Sequence, residues 1–210
     1  MQRDLWYPYP SILLWGCDQG KMDLILKAIT DRITELLKEK DRLIIAIDGR
    51  CASGKTTLSL RLCELFDCNI IHMDDFFLRP SQRTPERLVK PGENIDHERF
   101  LSQVLMPLTS GQSFSYQPYS CKEGRLGSEI FVPKKKISVI EGSYSCHPSL
   151  CGHYDLRIFL STSPDKQMRR IEKRNGVQNA EIFKSKWIPL EEKYFSACEI
   201  KSKCQLFFET

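Results

Sequence analysis

"RLIIAIDGRCASGKTT" occupies residues 42–57. Its first half is a short apolar run bounded by charge and glycine, the pattern of a strand buried on both faces. Its second half places Gly49, four residues, then Gly54, Lys55 and Thr56. Glycines at those positions let the backbone curl so that successive N–H groups point into one concavity, a nest for an anion. "TTLSLRLCELF" (56–66) follows with helical spacing, so a helix aims its positive end at the same spot. Lys55 can then reach terminal phosphates, and the Thr56 hydroxyl is placed to ligate Mg²⁺. Strand, loop and helix in that order predict a nucleotide site. Gly49, Ala52, Ser53, Gly54, Lys55, Thr56 and Thr57 are expected to hold ATP.

Upstream, Met22, Ile25, Ile29, Ile33 and Leu36 recur at three and four residues with charges between them. That spacing predicts an amphipathic helix from Met22 with one stripe on a core. Residues 1–21 carry aromatics and prolines without period and read as an arm, either ordered or not, outside a single domain over 22–210. Downstream, "CNIIHM" (68–73), "ISVIEG" (137–142), "LRIFLST" (156–162) and "CQLFFE" (204–209) read as further strands. Helical patterns lie between them, and 79–96, with Pro80, Pro85, Pro91 and Gly92, reads as loop. "HERFLSQVLMPL" (97–108) reads as a helix closed by Gly111. "SFSYQPYS" and "EIFVP" around "CKEGRLG" read as a hairpin over about 112–136. Apolar strands alternating with helices predict an α/β fold with a parallel five-stranded core sheet covered on both faces.

Composition narrows the function. The 210 residues are 41% hydrophobic with 11 Phe, enough for a sizeable core. The net charge of +4, from 31 basic and 27 acidic residues, is too balanced for a protein that coats nucleic acid. "SILLW" is far too short to span a bilayer, so no membrane partner is expected and a cytoplasmic location is. Nine cysteines at irregular spacing are expected to be reduced thiols rather than staples. A homo-oligomer stays open.

Ligands of a parallel sheet gather beyond the carboxyl ends of its strands, so acids there matter. "HMDDFF" puts Asp74 and Asp75 at one such end, where a carboxylate could take a proton from an acceptor hydroxyl or hold Mg²⁺ through water. "VIEG" puts Glu141 at another, where a metal-holding acid is expected. "PDKQMRRIEKRNG" carries Lys166, Arg169, Arg170, Lys173 and Arg174, and at least one arginine is expected to act on the transferring phosphoryl.

Taken together, "DGRCASGKTT", "MDDFF", "NIDHERF", "QPYS", "VIEGSYSCHP", "RRIEKRN" and "WIPLEEKYF" resemble the uridine kinase and phosphoribulokinase family of P-loop kinases. The resemblance runs from about residue 42 to 200, in family order. It implies a P-loop NTPase fold, a substrate flap at about 112–136, a basic helical lid at about 164–178, and ATP-dependent phosphorylation of a hydroxyl on a small molecule. It further implies that Asp74 activates the acceptor, that Phe77 lines the substrate site, that Asp96 holds sugar hydroxyls and that Tyr119 meets the substrate from the flap. Arg169 and Arg170 fall in the implied lid, and Glu141 matches the acid at the third strand. Two departures bear on the acceptor: Phe77 stands where nucleoside kinases usually have tyrosine, and "CKEGRLG" has no histidine.

Cys146, His147, Cys151 and His153 invite a zinc reading, but their spacing matches no standard finger, and they are expected to be loop residues. Cys51 is expected to be incidental, and Trp187 to be core. A GTPase-like switch would need an Asn-Lys-x-Asp segment, which the sequence lacks.

Overall fold

The computed structural model describes residues 19–210. The arm expected at 1–21 therefore falls almost wholly outside the described residues. Helix α1 (Gln19–Leu36) begins three residues earlier than Met22, and its stripe of Met22, Ile25, Ile29, Ile33 and Leu36 is buried as the spacing predicts. Strand β1 (Leu43–Gly49) is buried along its whole length. It leads through the glycine loop into α2 (Lys55–Leu65), followed by β2 (Cys68–His72) and a tight turn at Met73–Phe76.

The 79–96 stretch is mostly loop, as expected, with a four-residue helix, α3 (Pro85–Leu88). Next comes a helix that starts as α4 (His97–Phe100), loosens into a π turn at Leu101–Leu105 and ends as α5 (Met106–Ser110), with Gly111 at its left-handed cap. The expected hairpin is two short antiparallel ladders. β3 (Phe114–Tyr116) pairs with β6 (Ile130–Val132), and β4 (Tyr119–Ser120) pairs with β5 (Arg125–Leu126) nearer the tip. Then follow β7 (Ile137–Glu141), β8 (Leu156–Ser161), α6 (Pro164–Asn175), α7 (Val177–Ile182), a π turn at Phe183–Trp187, α8 (Ile188–Ala197) and β9 (Leu206–Glu209).

The main sheet has the order β2-β7-β1-β8-β9, with every neighbouring pair parallel. Successive side chains of a strand point to opposite faces, and β1 divides accordingly. Leu43, Ile45 and Ile47 join one core with α1 and α2, whereas Ile44 and Ala46 join the other with Phe100, Tyr194 and Phe195. Both faces are thus dry, which is why β1 is a continuous apolar run and not an alternating one. Each fully buried Ile or Leu contributes about 1.5–3 kcal/mol relative to exposure. The order places β1 between β7 and β8, so the glycine loop emerges beside the carboxyl ends of three strands.

One expectation fails. The cysteines are not all reduced: Cys63, near the end of α2, is joined to Cys68 at the start of β2 in a disulfide, with Cα atoms 5.0 Å apart. The turn between helix and strand is tight enough to bring their Cβ vectors together. No helix among the described residues is long and apolar enough to cross a membrane.

Candidate functional site

The glycine loop is held by geometry that only certain residues accept. Gly49 has φ +132°, and a Cβ there would lie 1.9 Å from the Leu160 carbonyl oxygen of β8, so no side chain fits. Gly54, at φ 97°, turns the chain left-handed immediately before α2. Ala52 is also left-handed, at φ 58°, without the freedom of glycine, which marks a loop constrained by its surroundings.

Those surroundings include two buried acids that sequence reading missed. Asp48, at the end of β1, accepts hydrogen bonds from the backbone N–H of Gly49 (2.6 Å), Tyr144 (3.2 Å) and Cys146 (2.8 Å) and from the Tyr194 hydroxyl (2.8 Å). Burial pushes its pKa up, against the pull of these donors. Glu191, on α8, accepts from the Cys51 N–H at 3.0 Å and from the Ser143 hydroxyl at 2.6 Å. Burial also raises its pKa, with Lys55 opposing. The available signal for Glu191 was an acid three and four residues before Tyr194 and Phe195, on the buried face of the helix. Burial, followed by Glu191, pushes the Cys51 thiol far above its ordinary range.

Lys55 is buried, and its ammonium donates to the carbonyls of Gly49 (2.7 Å) and Arg50 (2.9 Å), across the loop. An ammonium has three donors, so a phosphate can take one while the loop keeps the others. Thr56 donates its hydroxyl to Glu141 Oε1 at 3.1 Å. On the same oxygen, the His72 ring Nδ1 lies at 2.5 Å, from the position that pairs with Glu141 across β2 and β7. Burial would raise the Glu141 pKa, but His72 and then Lys55 and Thr56 hold it below the ordinary carboxylate value. An ionised carboxylate and a hydroxyl at the mouth of a phosphate loop are the hard oxygen donors that Mg²⁺ takes, so the residues fit that ion. His72 was not anticipated, because strand order is not written in a single strand.

Asp74 lies in the turn after β2, and a Cβ on Gly142, the residue after Glu141, would sit 3.6 Å from its Oδ1. The ends of β1, β7 and β2 thus bring Lys55, Thr56, Glu141 and Asp74 together. Cys121 of the flap, whose pKa is raised, lies within electrostatic reach of Arg83 and Asp74. Asp75 points elsewhere, its carboxylate accepting from the buried Tyr116 hydroxyl at 2.8 Å. Arg99 braces this corner, donating to the Asp75 carbonyl (2.9 Å) and to Gln117 of the flap (2.7 Å).

The other expected substrate residues are engaged too. Asp96 is only 2% exposed, caps α4 through the Arg99 N–H at 3.2 Å, and lies 3.6 Å from the Arg79 guanidinium. Its Oδ2 lacks a hydrogen bond, although Arg79 and Arg99 both neighbour it. Phe77 packs toward Trp187 with ring centroids 6.2 Å apart, and Tyr119 is buried in the flap. Of the two adjacent arginines expected to act from the basic helix, Arg170 donates to the Ala52 carbonyl of the loop (3.0 Å) and to the Thr210 hydroxyl (3.1 Å), while Arg169 is exposed. Gln167 also reaches the loop, at the Cys51 carbonyl. The basic helix therefore rests on the glycine loop.

No protein-family model matches the sequence. Solved structures do match the fold. A protein described as a possible uridine kinase from Bacillus stearothermophilus superposes with a TM-score of 0.64 at 18% identity, over 90% of this chain and 98% of that one. This chain shares that protein's α/β fold, a parallel five-stranded sheet flanked by helices. A proposed fructose transport system kinase from a Silicibacter species gives 0.63 at 19% identity, over 87% of this chain and 98% of that one. YFH7 of Saccharomyces cerevisiae, described as a proposed P-loop kinase with a circular permutation, gives 0.62 at 13%, over 93% of this chain and 99% of that one.

Proposed function

We propose that this chain is an ATP-dependent kinase that phosphorylates a hydroxyl of a small molecule, with a nucleoside such as uridine or cytidine as the first acceptor to test. The observation that carries the reading is the convergence of Lys55, Thr56, Glu141 and Asp74 at the ends of three adjacent strands. The likeness to folds described as kinases supports it.

In this reading the loop N–H groups and Lys55 bind and orient the ATP phosphates. Thr56 and Glu141 would hold Mg²⁺, which when bound neutralises charge on the phosphates. Asp74 receives the proton from the acceptor hydroxyl as the oxygen approaches the terminal phosphorus. Arg169 and Arg170 supply positive charge from the basic helix, Arg170 already resting on the loop. Phe77 and Tyr119 shape the acceptor side, and the flap excludes water.

A second reading of the acceptor is favoured by Arg79 and Arg83. Arg79 is 45% exposed beside Asp96, and Arg83 lies near Cys121 of the flap. Two guanidiniums on the acceptor side suit a substrate with an acidic group, such as glycerate, pantothenate or a sugar phosphate. The test is ADP release from MgATP across uridine, cytidine, pantothenate, glycerate and sugar phosphates. Stimulation by an uncharged nucleoside supports the first reading, and stimulation only by anionic acceptors supports the second. Silence across a broad panel, with ATP bound, would reject the kinase.

A further inference from the structure

At the end of the sheet opposite the glycine loop lies a pocket of about 280 Å³, partly open to water. It forms where the flap joins the body. Gly111 and Gln112 lead from α5 into the flap, residues 133–136 lead from β6 back to β7, and Arg42 precedes β1; all of them line the pocket. The Leu43 N–H donates to the Lys136 carbonyl at 2.8 Å, which sets Arg42 and Lys136 side by side at the feet of two parallel strands. From here β1 runs to the glycine loop, about 20 Å away at the usual rise of a strand.

The lining is one-sided in charge. Arg42, Lys134, Lys135 and Lys136 contribute cations, and no carboxylate among the described residues lines the pocket. Of these cations only Lys135 is paired with an acid among the described residues, Asp67 at 2.6 Å. A Cβ on Gly111, at φ +67°, would fall 0.9 Å from Arg42 Nη1, so the glycine leaves the room that the guanidinium occupies over the flap root. The floor is polar as well. Ser138 is 3% exposed in the otherwise apolar strand β7, and its hydroxyl accepts from Asn69 Nδ2 at 3.2 Å. That leaves the Ser138 proton to donate. Burying a hydroxyl at the foot of an apolar strand is costly unless its hydrogen bonds are made. Like charges held around a concavity focus a positive field that draws an anion in.

We propose that this pocket binds a small multivalent phosphate anion, which bridges the two roots of the flap to the foot of β1. The Arg42 guanidinium presents the planar fork that phosphate oxygens take in pairs. Lys134 and Lys136 add point charges, and Ser138 and Gln112 supply neutral donors. A phosphate carries more than one charge in a compact group, which answers several cations better than a single carboxylate does. The Asn69 amide also donates to the Pro133 carbonyl at 2.9 Å, so the second root is already held against β2 and the ligand adds the tie to the first. The assignment needs neither the glycine loop nor the identity of the acceptor.

The probe is pyrophosphate, titrated by calorimetry into full-length Lys55→Ala, in which the glycine loop's own anion binding is weakened. One equivalent is expected to bind at sub-millimolar concentration, to weaken as salt rises, and to slow amide exchange at Gln112 and residues 134–136. Arg42→Gln and Lys136→Gln, added singly, are each expected to weaken it about 10-fold, the loss of one charge-assisted hydrogen bond. Both side chains are exposed, so these variants are expected to fold. Should Lys55→Ala itself fail to fold, wild type saturated with ATP replaces it. No binding, affinity unchanged in both Arg42→Gln and Lys136→Gln, or acetate bound as tightly as pyrophosphate would overturn the proposal.

Discussion

The two ends of the site, in the proposed reading its phosphate end and its acceptor end, are built differently. The glycine loop is clamped from below by Asp48, from α8 by Glu191 and from α6 by Gln167 and Arg170, all through backbone atoms of the loop or of its neighbours. The acceptor end has two-residue strands at the flap tip, a four-residue helix in a long loop, and arginines that stand partly in water. Backbone-to-carboxylate clamps fix the loop whatever its side chains are, which suits a phosphate group common to every turnover. Side chains on short elements are easily changed, which suits a substrate that differs between enzymes of one fold.

The most severe way to break this contrast is at Asp48. Asp48→Ala removes the acceptor of three backbone donors and a hydroxyl, each worth about 1–3 kcal/mol when left unsatisfied, so a loss of about 3–5 kcal/mol is expected. Chemical denaturation checks it. A loss below about 1 kcal/mol would show that the loop holds without its clamp.

A milder change sharpens the acceptor side. Arg79→Ala, at a partly exposed position, is expected to shift stability by no more than about 0.5 kcal/mol. If the true acceptor is anionic, its KM should rise about 10–100-fold, as expected for losing one charge-assisted hydrogen bond. An unchanged KM would remove Arg79 from the acceptor side. That variant therefore separates the two acceptor readings, which the clamp variant cannot.

How legible this was in the sequence follows the same division. Both ends of β1 and the start of α2 could be read from "LIIAIDGRCASGKTT", because a doubly buried strand and a glycine turn leave unambiguous local patterns. The stripe of α1 and the hairpin were equally local. Asp48 and Glu191 were passed over because an acid beside an apolar run reads as its boundary, and only folding reveals four donors around it. His72 needed the strand order, since Glu141 becomes its neighbour only when β7 inserts between β2 and β1. The disulfide was missed for a related reason: an irregular cysteine count hides a pair set only by the tightness of one turn.

The smallest expected effect concerns pH at the phosphate end. The folded Glu141 carboxyl lies below its ordinary pKa, so its ionised form stabilises the fold above the unfolded carboxylate range and that contribution fades as pH falls through the folded value. Glu141→Gln lacks this dependence. The stability gap between wild type and Glu141→Gln should therefore narrow on acidification from pH 7, as followed by thermal melts. A gap that widens in acid would reverse the assignment.

The central claim is that the two ends do different work in one transfer, with Lys55 binding phosphate and Asp74 acting on the acceptor. The direct measurement is MgATP affinity and single-turnover transfer, side by side, for Lys55→Ala and Asp74→Asn with the acceptor identified by the panel. Lys55→Ala is expected to lose both. Asp74→Asn keeps the shape without the base, so it is expected to bind MgATP nearly as wild type does and to transfer about 10²–10⁴ times more slowly. Transfer at wild-type speed in Asp74→Asn, or a fall in MgATP affinity matching that of Lys55→Ala, would contradict the account.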